Sequence, residues 1–77
     1  MSAYVGQPGL TVAKLNAALK ERGIAERLRR GRGYHYFVEG QAHAWYASSV
    51  YVYRVDSLSV DEWIAERDLL ANDFRNL

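Results

Sequence analysis

Four arginines, Arg27, Arg29, Arg30 and Arg32, lead directly into the rings of Tyr34, Tyr36 and Phe37. A guanidinium grips phosphate or carboxylate through a planar fork, and an exposed ring stacks on an unpaired base or fills a pocket on a protein. The stretch RLRRGRGYHY therefore reads as a contact surface, with Arg29, Arg30, Arg32, Tyr34 and Tyr36 as its nucleic-acid-facing set. The same residue types suit a protein partner. For that, Trp45, Tyr51, Tyr53 and Arg54 are the expected anchors, because tryptophan, tyrosine and arginine dominate interface energetics. The competing structural reading leaves the arginines solvated ahead of a strand and bridged to acids of the second helix.

A reaction is hard to assemble from the remaining residues. The two histidines, His35 and His43, have no adjacent carboxylate to orient them, and their separation is not a metal-ligand spacing. Only a folded loop that gathered His35, His43 and Asp56 would make a metal site. His35 reads instead as a partly buried residue beside a helix. Ser48, Ser49, Ser57 and Ser59 lack a nucleophile-elbow context, and Gly31-Arg32-Gly33 is too short to cradle a phosphate without a following helix. With no cysteine, disulfides and thiolate metal sites are excluded. The expectation is a binding protein, not an enzyme, with no metal or cofactor.

Charge is distributed unevenly behind a net value of +1. Residues 1–38 hold seven basic side chains against two acidic, and residues 39–77 three against seven. Either pole can meet a partner of opposite sign. Asp61, Glu62, Glu66, Asp68 and Asp73 could imitate a phosphate backbone, although such a helix face is ordinarily a solvated one. No signal peptide or membrane span is evident, which suits a cytoplasmic protein.

The elements that must position these groups follow from periodicity. Seventy-seven residues make one domain, here residues 10–77 behind a flexible leader at 1–9 punctuated by Gly6, Pro8 and Gly9. Thr11 caps a first helix over about 12–22, with Val12, Leu15 and Leu19 as its stripe, and Gly23 stops it. From Tyr34 to Glu39 the period is two: Tyr34, Tyr36 and Val38 share one face, His35, Phe37 and Glu39 the other. A loop of about ten residues carrying Trp45 leads to a return strand over 50–55. Ser59 and Glu62 form a capping box that opens a second helix over about 60–73, with Val60, Trp63, Ile64, Leu70, Ala71 and Phe74 on one side. The predicted fold is α+β, in the order α-β-β-α, with a two-stranded antiparallel hairpin packed against two helices.

Two resemblances bear on this chain. RGYHYFVE overlaps the strand motif of RNA-recognition domains at Arg32, Gly33, Tyr34 and Tyr36. His35 and Glu39 break that motif and the order of elements differs, so that fold is not assigned. The combination LNAALKERGI, LRRGRGYHYFVEG and WYASSVYVYRVDSLSVDEWIAE resembles a group of small, mostly uncharacterised proteins of bacteria and their phages or plasmids. That likeness runs from Leu10 to about Leu70. It transfers no catalytic residue, and it implies an accessory protein that modulates or inhibits a larger complex. The expected partner is a protein or a second copy of the chain, with nucleic acid the alternative.

Overall fold

The computed structural model describes residues 4–75, and of Phe74 and Arg75 only the backbone. The first three residues of the leader, and the Phe74 side chain assigned to the apolar stripe, thus lie outside the described residues. Helix α1 (Val12–Glu21) is followed by strands β1 (Arg27–Arg30), β2 (His35–Val38) and β3 (Ser49–Val50) and by helix α2 (Val60–Arg75). Single 3-10 turns occupy Ala42–Ala44 and Val55–Ser57. The class is α+β, as the patterning predicts. The sheet, however, has three antiparallel strands in the order β1-β2-β3 in place of a two-stranded hairpin.

Both helices begin and α1 ends where their caps require. The Lys14 amide donates to the Thr11 hydroxyl at 3.1 Å. At the other end Gly23 takes φ +74, and the Gly23 and Ile24 amides donate back to the Lys20 and Leu19 carbonyls. That paired arrangement satisfies the last carbonyls of the helix and needs a residue tolerant of the left-handed region.

The extra strand comes from the arginine run. Leu28 faces Phe37 and Arg29 faces Tyr36 across the β1–β2 pair. The turn between them is closed by the Gly31 amide donating to the Tyr34 carbonyl at 2.7 Å, with Gly33 at φ +81. Only Leu28 of the four β1 residues is fully buried, so no period-two apolar pattern marks this strand in the sequence. Its outer edge is occupied by α1: the Asn16 amide nitrogen donates to the Leu28 carbonyl and its oxygen accepts the Leu28 amide. A strand edge covered this way cannot recruit another chain there.

The predicted return strand over 50–55 shrinks to Ser49 and Val50. Beyond Val50 the Val52 amide turns back onto the Val50 carbonyl at 2.9 Å, and the Val52 carbonyl is taken by the His35 ring. The chain therefore leaves the sheet, and Tyr51 to Val55 form no ladder.

The core lies between one sheet face and the helices. Leu15 and Leu19 of α1, Leu28, Phe37 and Val50 of the sheet, Trp45 of the long loop, and Leu58 and Trp63 at the start of α2 are buried together. Phe37 meets Trp45 and Trp63 edge-on at 6.0 and 6.4 Å, and His35 meets Trp63 at 5.6 Å. Trp45 thus tucks beneath the strands and thickens a small core. Among the described residues no helix is long and apolar enough to cross a membrane.

The leader residues Tyr4 to Gly9 run along the start of α2. Glu62 closes the capping box with Ser59, accepting its amide at 2.8 Å while its own amide donates to the Ser59 hydroxyl. The same carboxylate accepts the Val5 and Gly6 amides at 2.8 and 3.0 Å. The Ser59 amide first, then those of Val5 and Gly6, hold the Glu62 carboxyl down to about 2 from an ordinary 4.5, against the opposing pull of desolvation. A depressed carboxyl contributes stability in full above its unfolded value and loses it as pH falls through the folded one. Wild-type protein is accordingly expected to lose stability more steeply than Glu62→Gln between about pH 4.5 and 2 in thermal melts. Parallel curves for the two would remove Glu62 as the cause.

Candidate interaction surface

Strand alternation places His35 and Phe37 in the buried core and Tyr36 and Val38 on the opposite face, half-buried, where no helix or further strand lies among the described residues. Across that open face Arg29, Tyr36 and Ser49 stand in one row, in direct register on β1, β2 and β3. Tyr34, from the turn, lies 5.9 Å from Tyr36 and 5.9 Å from Tyr51, both tilted at 37°. Three tyrosine rings from three positions in the chain therefore form one continuous patch. Tyr34 and Tyr36 are half-buried by their neighbours, while Tyr51 is 85% exposed.

Gly31 permits this arrangement. A Cβ there would come within 2.5 Å of the Tyr34 Cζ, so the ring lies flat over backbone that must stay bare.

The arginines separate. Arg29 is on the open face, Arg30 opposes His35 on the helix side, and Arg32 is on the turn. All three are exposed and, among the described residues, none has a carboxylate partner. The predicted bridges from this run to α2 do not form. The cross-helix bridge is Arg22 to Asp61 at 2.7 Å, and Arg27 instead curls back to donate to the Ile24 and Glu26 carbonyls.

Of the other predicted contacts, Trp45 is buried in the core and offers no surface. Tyr53, 69% exposed, and Arg54 follow the chain away from the sheet and lie apart from the tyrosine patch, beside a cleft at the helix side. Arg54 is neutralised by Asp56 through two bonds of 3.0 Å. Residue patterning missed the pairing of Glu26 with Arg67, which ties the start of the sheet to α2. No local signal marks it, since the partners are 41 positions apart.

No group of three or more His, Asp or Glu among the described residues gathers at metal-binding distance. His43 is exposed on its 3-10 turn while His35 is enclosed. No family model, curated protein or solved structure matches this chain.

Proposed function

We propose that this chain is a small non-enzymatic binding protein that docks its open sheet face on a protein partner and so modulates a larger complex. The observation that carries the reading is the continuous row of Tyr36, Tyr34 and Tyr51 beside the unneutralised Arg29. Rings held in place by one another lose little side-chain freedom on binding, and arginine beside them supplies directional bonds. The fitting partner surface has apolar pockets for the tyrosines and a carboxylate for Arg29.

Nucleic acid is the less favoured occupant because Arg29, Arg30 and Arg32 point to different sides of the molecule. A phosphate track needs its cations along one line.

The test is photocrosslinking in cells of the native host, from a benzophenone side chain at position 51 and, as control, at the exposed Leu69 of α2. A single protein is expected to crosslink from position 51 and not from 69. Capture should fail in Arg29→Glu and in Gly31→Ala, where the new methyl displaces the Tyr34 ring at a cost of about 1 kcal/mol in ring contacts. Both variants should stay folded by circular dichroism. Identical capture from both positions, or capture indifferent to both variants, would overturn the proposal. Salt-sensitive binding of an oligonucleotide that Arg29→Glu abolishes would reassign the face to nucleic acid.

A further inference from the structure

Glu39 follows β2 in the left-handed region. Its φ is +66, the one positive value among the described residues that are not glycine, and Gly40 continues at +54. The turn itself is required, because it brings the Gln41 amide to the enclosed Glu26 carboxylate and the Ala42 amide to the Glu39 carbonyl. It does not require a glutamate, since glycine or asparagine makes the same turn with less strain. The Glu39 side chain is exposed and, among the described residues, its carboxylate meets no cation and accepts no hydrogen bond. A strained position that keeps an unused carboxylate points to a contact outside the chain.

The same sheet carries an unused cation. Arg29 stands on the open face in register with Tyr36 and pairs with no carboxylate among the described residues. Glu39 lies three residues beyond Tyr36, about 10 Å further along at the rise of an extended strand. Tyr36 and Val38 occupy the open face of β2, and Tyr34 and Tyr51 widen the strip at the Arg29 end. Asp56, Asp61 and Asp68 are already taken by Arg54, Arg22 and Arg67. Glu39 is therefore the free acid that ends a strand of this sheet. A strip with a cation at one end and an anion at the other complements itself when turned by half a rotation.

The sheet edges offer no alternative. Asn16 covers the backbone of β1, and beyond Val50 the chain turns away from β3.

On the docking reading of the open face, we infer that its occupant is a second copy of this chain, laid face to face about a two-fold axis that passes close to Val38. Arg29 of each copy reaches Glu39 of the other, and Tyr36 of each lies over the end of β2 of the other. The carboxylate that Arg29 needs and the apolar ground for the rings thus come from one sequence. A small core with one sheet face covered gains its second cover in the same step. The face is small, so a Kd of about 10–100 µM is expected.

Sedimentation equilibrium over roughly 5–500 µM protein, which brackets that Kd, is the experiment. Wild-type protein should fit a monomer–dimer equilibrium with no larger species, because a two-fold contact closes on itself. Arg29→Glu and Glu39→Arg should each weaken association about a hundredfold, since every substitution occurs twice in the interface. Circular dichroism should show both variants folded, as both positions are exposed. An equimolar mixture of the two should associate again, and so should the exchange variant R29E/E39R alone, because the opposite charges are then restored with their places exchanged. A wild-type monomer throughout, growth beyond the dimer, indifference to both single substitutions, or failure of both the mixture and the exchange variant overturns the inference. A monomer that still crosslinks a different protein from position 51 overturns the second copy and keeps the docking reading. A monomer that crosslinks nothing from position 51 removes both.

Discussion

Trp63→Ala is expected to leave the protein largely unfolded at room temperature. Trp63 is wholly enclosed, and its ring meets both His35 and Phe37 edge-on. Its indole Nε1 also donates to the Val55 carbonyl at 2.7 Å, tying α2 to the 3-10 turn that precedes it. Deleting a buried tryptophan costs about 3–5 kcal/mol in transfer and cavity terms. A domain of this size holds only about 4–12 kcal/mol in total, at roughly 0.05–0.15 per residue, and small cores fall toward the lower limit. Trp63→Phe separates the two contributions. It keeps a ring in the core but leaves the Val55 carbonyl only the long bond from the Leu58 amide at 3.4 Å, for an expected loss of about 1–2 kcal/mol. Urea denaturation followed by circular dichroism reads both. A cooperative Trp63→Ala transition near the wild-type midpoint would show that the core does not hinge on this residue.

Removing Arg67 should cost more than removing its partner Glu26. Glu26 is 1% exposed just ahead of β1, and Arg67 reaches it from α2 with Nε at 2.9 Å and a terminal nitrogen at 2.8 Å. The second carboxylate oxygen accepts the Gln41 amide at 2.7 Å. Gly40 beside it leaves the carboxylate its space, since a Cβ there would collide with Oε2. The Arg67 guanidinium lies 5.7 Å over the Trp45 ring, so one ion pair joins the start of β1, the loop after β2 and the second helix.

In Arg67→Ala the enclosed carboxylate keeps only the Gln41 amide, and an orphaned buried charge costs about 3–5 kcal/mol. In Glu26→Gln the guanidinium retains Asp68 at 2.7 Å and some access to water, so the loss should be smaller. A double-mutant cycle should return a coupling of about 1–3 kcal/mol. Equal single losses with no coupling would mean the pair is an incidental contact.

The pair also predicts a dependence on acid. Burial alone pushes the Glu26 carboxyl up, but the Gln41 amide and then Arg67 outweigh it and hold the group below its ordinary value. In the wild type its contribution is therefore present above the unfolded value of 4.5 and is lost as pH falls below it. Without Arg67 desolvation is opposed only by backbone amides, the carboxyl rises from its depressed position, and that contribution shrinks. Arg67→Ala should consequently recover stability relative to wild type as pH is lowered toward 4.

The features legible along the chain are those set by neighbours within four residues. Thr11 and the Ser59–Glu62 box start the helices, and Gly23 ends the first, because free amides and carbonyls at a helix end are met by whatever lies one turn away. The alternation of His35 and Phe37 against Tyr36 and Val38 is equally local, being a property of extended backbone.

Tertiary contact decided the rest. The strand at Arg27–Arg30 exists because Leu28 reaches the core and Asn16 covers its edge, neither of which an arginine-rich tetrapeptide announces. The chain leaves the sheet after Val50 although its valines and tyrosines favour a strand, because His35 claims the Val52 carbonyl. Tyr34, Tyr36 and Tyr51 meet on an open face and Trp45 is withdrawn from it for the same reason. Two small helices cover only one side of a three-stranded sheet, and which side that is depends on the summed burial of residues far apart in the chain.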